Sequence, residues 1–249
     1  MRLIGFSTGA LAYSDFQRGL TILRRGHSKA VELSALREAE LAPLIRSLQL
    51  LDLRQFTYVS VHAPSRYEHS REREIIDLLQ VAASRKWPIV LHADAVHDFS
   101  AWDAFGDRLL IENMDKRNQT GRTAKELSTI FAKLPHAGLC FDLGHCRQVD
   151  PTMNEASLIL REFGTRLRQL HVSEVNSRST HDPLSGASIR AFREISYLIP
   201  ESVPVILESP VAETDVETEI ERARAALPLS GSGSGARRHD SRRFQATAM

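Results

Sequence analysis

The sequence predicts a single (β/α)8 TIM barrel, an α/β fold built on a closed parallel sheet. Short apolar segments alternate with amphipathic segments, and eight such pairs occupy most of the 249 residues. Strands that alternate with helices indicate a parallel sheet, and eight units in a chain of this length favour a closed barrel over an open doubly wound sheet. The segment GFSTGA after the first strand lacks the G-x-G-x-x-G spacing, so no dinucleotide fingerprint is present.

The first half of the chain contains four of these units. The predicted strands are RLIGFST, AVELS, FTYVSVH and PIVLH. The predicted helices are SDFQRGLTILRRG, ALREAELAPLIRSLQ and REREIIDLLQVAAS, with AWDAFGD forming at most a short helix. Ser14 is the expected N-cap of the first helix, and Gly26 its expected end.

The second half repeats the pattern. Its predicted strands are RLLIE, GLCFD, LRQLHVS and VPVILE, and its predicted helices are TAKELSTIFAKL, MNEASLILREFGTR, SIRAFREISYLI and TDVETEIERARAAL. Thr123 is an expected N-cap, as is either Thr214 or Asp215 for the last helix. The barrel is therefore assigned to residues 1–228, and the Gly/Ser-rich, basic segment 229–249 is expected to be a disordered tail.

The composition indicates a globular domain and argues against a membrane protein or a disulfide-rich protein. The chain is 42% hydrophobic and 25% charged, which is ordinary for a globular domain, and no apolar run approaches the roughly 20 residues that a membrane helix needs. The N-terminus lacks a signal-peptide pattern, so a cytoplasmic location is expected. Only two cysteines occur, Cys140 and Cys146, which does not suit a disulfide scaffold; Cys140 is expected to be a small buried residue.

The charge distribution argues against an extended nucleic-acid interface. The net charge is +1, and the segment from Gly231 carries four arginines against one aspartate, which leaves about −2 for the rest. A protein that neutralises many phosphates would need excess positive charge on its folded body. We therefore expect neither nucleic acid nor a membrane as a partner.

Polar residues stand where the predicted strands end. They are His62, His92, Glu112, Asp142, His171 and Glu208, with Glu32 near the end of the second strand. In a barrel of this kind the active site lies at the C-terminal ends of the strands, so these side chains are expected to converge. Taken singly, each has a structural alternative: Asp142 and Glu208 as helix caps, His62 and His92 as interior histidines. His27, His69, His97, His136 and His239 are expected at the surface.

Carboxylates from the fifth, sixth and eighth strands and an imidazole from the seventh provide four mixed O/N ligands. They are Glu112, Asp142, Glu208 and His171. Such a set suits Mn²⁺, Zn²⁺, Fe²⁺ or Co²⁺ better than Mg²⁺.

This ordered set, with D-L-G-H at 142–145, resembles the xylose isomerase-like TIM barrel superfamily over residues 1 to about 227. That superfamily includes sugar phosphate isomerases/epimerases and AP endonucleases of the endonuclease IV type. The epimerase branch implies one divalent metal on the four residues, proton transfer by Glu112 and Glu208, and substrate contact by His145. Glu32 and Arg178 are further candidates for substrate binding.

The endonuclease branch implies a site with three metals and additional histidine ligands. His62, His92, His145 and His181 are the candidates for a second or third metal. The chain departs from that pattern at Ser179, where the branch has an aspartate, and it lacks an evident counterpart of the DNA-intercalating loops.

Three functions are compatible with these residues. A metal-dependent isomerase or epimerase acting on a sugar or sugar phosphate is favoured, because a carboxylate on each side of the metal suits proton transfer. A multinuclear-metal phosphoesterase is the alternative, favoured by the extra histidines. The third is a non-catalytic barrel that binds a sugar, in which the predicted metal ligands would have no function.

We predict that deleting residues from Gly231 onward leaves both the melting temperature and the activity unchanged, because a Gly/Ser-led polar segment makes few buried contacts. Differential scanning calorimetry of the two proteins checks this. A melting temperature several degrees lower would show that the tail docks on the barrel.

Overall fold

The computed structural model describes residues 2–229 and confirms the closed barrel. The barrel strands are β1 (Ile4–Ser7), β2 (Ala30–Ser34), β3 (Tyr58–His62), β4 (Ile89–His92), β5 (Leu109–Glu112), β6 (Gly138–Asp142), β7 (Leu167–Val172) and β10 (Val205–Leu207). They are all parallel and close in the order β1-β10-β7-β6-β5-β4-β3-β2. Two further strands, β8 (Glu174–Val175) and β9 (His181–Asp182), form a separate antiparallel hairpin. The predicted tail lies outside the described residues, apart from Leu229.

The helices surround the barrel. They are α1 (Thr8–Ala12), α2 (Phe16–Arg25), α3 (Glu38–Ser47), α4 (Glu72–Ser84), α5 (Phe99–Asp103), α6 (Ala124–Lys133), α7 (Leu143–Val149), α8 (Asn154–Phe163), α9 (Gly186–Ile195) and α10 (Val216–Ala226). The sequence patterns missed α1, α7 and the β8–β9 hairpin, which all lie at the C-terminal ends of barrel strands. Within residues 2–229, no helix has the length and apolar character required to cross a bilayer.

Three of the predicted helix ends are confirmed in position, and one is wrong. Gly26 ends α2, and the Thr123 side chain accepts a hydrogen bond from the Glu126 amide. The N-cap of α2 is Asp15, not Ser14, because the Asp15 carboxylate accepts the hydrogen bond from the Arg18 amide at 2.9 Å. Asp215 occupies the N-cap position of α10, as expected, but its side chain makes no capping hydrogen bond, and a 3-10 turn over Glu213–Asp215 leads into the helix.

The side chains inside the barrel show which residues face its interior at the C-terminal ends of the strands. Val90, Leu110 and Cys140 form a small buried cluster separate from the main apolar core. Side chains alternate along a strand, so the residues two positions later, His92, Glu112 and Asp142, point to the same interior side at the strand ends. The free thiol of Cys140 is fully buried, as expected, and Cys146 is also free and buried.

A buried carboxylate fixes the loop that follows β4. Glu72 on α4 accepts hydrogen bonds from the indole nitrogen of Trp102 at 2.7 Å and from the amides of His97 and Asp98, each at 2.9 Å. Trp102 is among the largest fully buried side chains. The network ties the β4–α5 connection to the outer helical layer.

We predict that Gly5→Ala destabilises the fold by at least about 3 kcal/mol, because a Cβ at Gly5 would lie 1.7 Å from the backbone oxygen of Ala30 on the neighbouring strand. Urea unfolding measures the change. Gly164→Ala is the matched control: its φ is −57°, nothing lies within 4 Å of the added Cβ, and a gain of about 0.4–1 kcal/mol is expected. Equal stability of the two variants would contradict the close approach of β1 and β2.

Candidate metal centre

The structure brings the four predicted ligands together. Parallel pairing sets His92 beside Glu112 and Asp142 beside His171. One donor atom from each of Glu112, Asp142, His171 and Glu208 lies within 4.8 Å of the others. This arrangement follows from the barrel, which places the C-terminal ends of neighbouring strands around one opening.

The donor atoms of this group fit a cation. Oε1 of Glu112, Oδ2 of Asp142 and Nδ1 of His171 are buried and lack hydrogen-bond partners. Nδ1 of His171 nevertheless lies 3.1 Å from Oε1 of Glu112 and 3.5 Å from Oε1 of Glu208. Buried polar atoms without partners are costly. Because the donor atoms of the group lie within 4.8 Å of one another and hydrogen bonds do not satisfy them, a divalent ion among them would satisfy all of them. Their assignment as ligands stays a prediction.

A second donor group adjoins the first. Nε2 of His62 lies 3.1 Å from Oε2 of Glu112, and Nε2 of His92 lies 3.6 Å from the same oxygen. His62 Nδ1 lies 2.7 Å from the backbone oxygen of Ala63, a contact that holds its proton on Nδ1 and leaves Nε2 as the donor atom for a metal. Oε1 of Glu112 therefore faces the first donor group, and Oε2 faces His62 and His92.

A third combination of donors overlaps the first two. Glu32, His62, His171 and Glu208 also have donor atoms within 4.8 Å of one another. Oε2 of Glu32 already accepts hydrogen bonds from Ser60, Gln169 and His171, so this carboxylate is the least available of the set. Only the first two groups are therefore treated as candidate ion positions.

Two more histidines lie at the opening. Nδ1 of His145 lies 3.0 Å from the backbone oxygen of Asn113 and 3.4 Å from Oε1 of Glu112. On the hairpin, Nδ1 of His181 lies 2.7 Å from the Ser173 hydroxyl and 3.7 Å from Oε2 of Glu208. Both histidines line the cavity above the centre.

Ser179 stands at the position where the endonuclease pattern has an aspartate. It adopts a left-handed backbone conformation, with φ of 58°, in the turn of the β8–β9 hairpin. Its hydroxyl bonds to the side chain of Gln148 at 2.8 Å, and no charged oxygen is available from this position.

Asp142 both caps a helix and offers a free oxygen. Its Oδ1 accepts a hydrogen bond from the His145 amide at the start of α7, which leaves Oδ2 facing the donor group. The Asn113 side chain holds the backbone of Asp142. Nδ2 of Asn113 donates to the backbone oxygen of Asp142 at 3.0 Å, and Oδ1 of Asn113 accepts from the backbone amide of Asp142 at 2.7 Å. The capping alternative is wrong for Glu208, which no helix follows before the turn at Glu213.

Burial disfavours the charged forms of Glu112 and Glu208, but their pKa values shift in opposite directions. For Glu112, the neighbouring His171 and His62 outweigh burial and hold the pKa well below its ordinary value. For Glu208, burial and the negative charges of Glu112 and Asp142 raise the pKa to about 8 against the opposing effect of His171. The two carboxylates thus differ in their tendency to hold a proton.

The pKa values of the histidines also shift in opposite directions. Burial lowers the pKa of His92 to about 3 and that of His181 to about 4, so both rings are neutral near pH 7, the form that binds metals. For His62, burial is outweighed by the hydrogen bond to Glu112, which raises the pKa to about 9. The second proton, on Nε2 toward Glu112, compensates part of the buried negative charge, and a metal ion bound at Nε2 would replace it.

A cavity of about 610 Å³ opens above the centre, a volume suited to a small-molecule ligand. Six of the predicted site residues line it: His62, His92, Glu112, His145, His181 and Glu208. Arg66 and Arg117 also line it, and two nitrogens of Arg117 are held by the buried carboxylate of Asp115 at 2.8 and 2.9 Å.

Glu32 and Arg178 are not among the cavity-lining residues, so their predicted substrate contact is not supported. Strand β2 continues for two residues beyond Glu32, and the register pairs Glu32 with Ser60 and Ser34 with His62. Glu32 therefore lies one layer below the rim and is fully buried. Arg178 is exposed in the turn between β8 and β9.

The sequence patterns did not identify three polar residues that support the centre. Gln169 and Ser60 each precede a predicted histidine by two positions on the same strand, so alternation along the strand was the available signal. Asn113 directly follows Glu112, and nothing in the sequence except its polar side chain indicated a role at the centre.

Comparison with known proteins agrees with the architecture. Residues 99–227, more than half of the chain, match the family model described as xylose isomerase-like TIM barrel. The chain belongs to this family. No curated protein sequence matches it significantly.

Solved structures of similar fold share little sequence with this member of the xylose isomerase-like TIM barrel family. Endonuclease IV from Thermus thermophilus has 18% identity and a TM-score of 0.58, with 90% of this chain and 98% of that chain covered. A xylose isomerase domain protein from Planctomyces limnophilus has 11% identity, a TM-score of 0.59, and coverage of 91% and 95%. A xylose isomerase-like TIM barrel protein from Mycobacterium smegmatis, in complex with magnesium, has 12% identity, a TM-score of 0.56, and coverage of 91% and 97%.

At these identities the likeness shows the fold alone. An endonuclease is among the structures with this fold, so the comparisons give no support to the expectation that nucleic acid is excluded as a substrate.

We predict that Glu112→Gln lowers the metal content at both positions, whereas Asp142→Asn and Glu208→Gln affect only the first. A neutral amide is a weaker ligand, and only Glu112 has an oxygen in each group. Elemental analysis after dialysis against metal checks this, with circular dichroism to confirm folding. Asp107→Asn, an exposed carboxylate just before β5, is the control. Full metal content in all three site variants would exclude the assignment.

Proposed function

We propose that this protein is a divalent-metal-dependent enzyme that hydrolyses a phosphate ester at a centre of two ions. One observation carries the proposal: the two oxygens of the buried Glu112 carboxylate face two separate donor groups. A carboxylate shared in this way is suited to hold two ions close together. The sequence alone favoured the isomerase or epimerase, and this geometry favours the alternative.

The proposed positions differ in their ligands. Glu112, Asp142, His171 and Glu208 would hold the first ion, and His62, His92 and Glu112 the second. Their mixed O/N donors suit Mn²⁺, Zn²⁺, Fe²⁺ or Co²⁺. Paired ions in such enzymes stabilise the attacking and leaving oxygens of an in-line displacement.

The residues around the cavity would bind and orient an anionic substrate. Arg66 and Arg117 place positive charge in the cavity wall, and Asp115 fixes the orientation of Arg117. A guanidinium held in place matches the oxygens of a phosphate group without a large loss of side-chain entropy. His145 and His181 would hydrogen-bond to substrate oxygens, since both line the same cavity.

The cavity volume of about 610 Å³ supports a small phosphorylated substrate, and a sugar phosphate or another carbohydrate-like ester meets this requirement. A larger substrate would have to place only its terminal group in the cavity.

An isomerase or epimerase is the second candidate, and a different observation favours it. Oε1 of Glu112 and Oε1 of Glu208 both approach Nδ1 of His171, at 3.1 and 3.5 Å. The pKa of Glu208 is raised to about 8, chiefly by burial, while that of Glu112 is lowered. One carboxylate able to hold a proton beside one able to accept it suits proton transfer between carbons of a sugar.

The double variant His62→Ala/His92→Ala separates the two candidates. For the hydrolase, we predict the loss of about one metal ion per chain and of activity on bis-p-nitrophenyl phosphate, because the second position loses both imidazoles. For the isomerase, metal content stays at one ion, and the damage falls mainly on KM.

His27→Ala/His136→Ala, two exposed histidines, is the matched control and should leave metal content and kinetics unchanged. Metal content of one ion in the unmodified protein, unaffected by the double variant, would overturn the two-ion proposal.

A further inference from the structure

We infer that Glu32 is a positioning residue for the metal centre: it accepts the Nε2 hydrogen of His171 and thereby leaves Nδ1 of that ring free to bind an ion. The inference rests on the proposed metal-dependent function, and it assigns Glu32 a role in place of the substrate contact that the sequence suggested.

The contact crosses the barrel interior. Glu32 is on β2 and His171 is on β7, strands that are not neighbours in the sheet. Nε2 of His171 lies 3.2 Å from both Oε1 and Oε2 of Glu32, and both residues are fully buried. The opposite nitrogen, Nδ1, lies among the donor atoms of the first ion position.

The distances to Glu32 favour a hydrogen on Nε2. If Nε2 had no hydrogen, its lone pair would face two carboxylate oxygens at 3.2 Å in a region without water exposure. That arrangement is repulsive, whereas a hydrogen on Nε2 makes a charge-assisted bond. Glu32 therefore selects the form of the ring in which Nδ1 is available as a ligand.

Other side chains hold Glu32 in place. Its Oε2 accepts hydrogen bonds from the Ser60 hydroxyl at 3.0 Å and from Nε2 of Gln169 at 2.7 Å. The Tyr58 hydroxyl donates to the amide oxygen of Gln169 at 2.8 Å, which orients the amide nitrogen toward Glu32. The carboxylate cannot turn away from His171 without breaking these bonds.

Gln169 competes with Glu32 for Nε2 of His171. Nε2 of Gln169 is also 2.9 Å from Nε2 of His171, so the amide could donate to the ring instead. The ring hydrogen would then lie on Nδ1 and block the ion position. The shorter bond of Gln169 to Glu32 favours the first arrangement, in which both donors share one carboxylate.

The first test measures Zn²⁺ affinity. In the His62→Ala/His92→Ala background, where only the position containing His171 remains, Glu32→Gln should weaken Zn²⁺ binding by about 10–100-fold, the usual effect of removing a partner of a metal-bound histidine. Competition with a chromophoric chelator measures it. Glu219→Gln, which alters an equally buried and hydrogen-bonded carboxylate on α10, is the control and should leave Zn²⁺ affinity unchanged.

The second test needs no variant of Glu32. Long-range ¹H–¹⁵N spectra show which ring nitrogen carries hydrogen, and the His171 signals are identified by their absence in His171→Gln. Nε2 should carry a hydrogen in both the metal-free and the Zn²⁺-loaded protein, and Nδ1 should change its shift on addition of Zn²⁺. A bare Nε2 in the unmodified protein overturns the inference, even if Glu32→Gln does not fold.

The outcomes distinguish the inference from the proposed function. Failure of the unmodified protein to bind Zn²⁺ would reject the metal-dependent function. Zn²⁺ binding that is equally tight in Glu32→Gln would reject the role of Glu32 alone.

Discussion

Buried negative charge is the constraint on which this structure depends. Glu32, Glu112 and Asp142 are fully buried inside the barrel, and Glu208 lies at its edge. Carboxylates in such a place are costly unless cations or hydrogen-bond donors compensate them. His62 and the ring of His171 supply part of the compensation, but within residues 2–229 Oε1 of Glu112 and Oδ2 of Asp142 have no hydrogen-bond partner, only nearby imidazole nitrogens. The protein thus maintains an excess of acceptors around a single point, which a divalent ion would balance.

Much of the fold was visible in the sequence because its signals are local. Apolar segments of strand length, amphipathic helices and their spacing specify a barrel without knowledge of any tertiary contact. The gathering of Glu112, Asp142 and His171 followed from the same pattern, since a closed parallel sheet leaves its strand ends no other place to meet. The position of each residue at the end of its strand was sufficient to predict that the three side chains come together.

The remaining features depend on register and side-chain rotation, which local patterns do not encode. The predicted strand AVELS has the bounds of β2, but Glu32 is its middle residue, and the pairing of Ser34 with His62 puts Glu32 one layer below the rim. The short helices α1 and α7 follow their strands without a polar linker, so no boundary marked them. The division of Glu112 between two donor groups depends on the rotation of one carboxylate relative to β3 and β4, and only the assembled barrel determines it.

At the proposed metal site, the bonds between Asn113 and the Asp142 backbone would have a consequence for ion selectivity. They join the ends of β5 and β6, so the protein fixes the backbone positions from which the Glu112 and Asp142 side chains extend. A flexible cage adapts to ions of different radius and discriminates poorly, whereas a rigid one excludes ions whose preferred ligand distance it cannot reach. In this barrel, an amide that need not touch the ion would help to decide which ion is accepted.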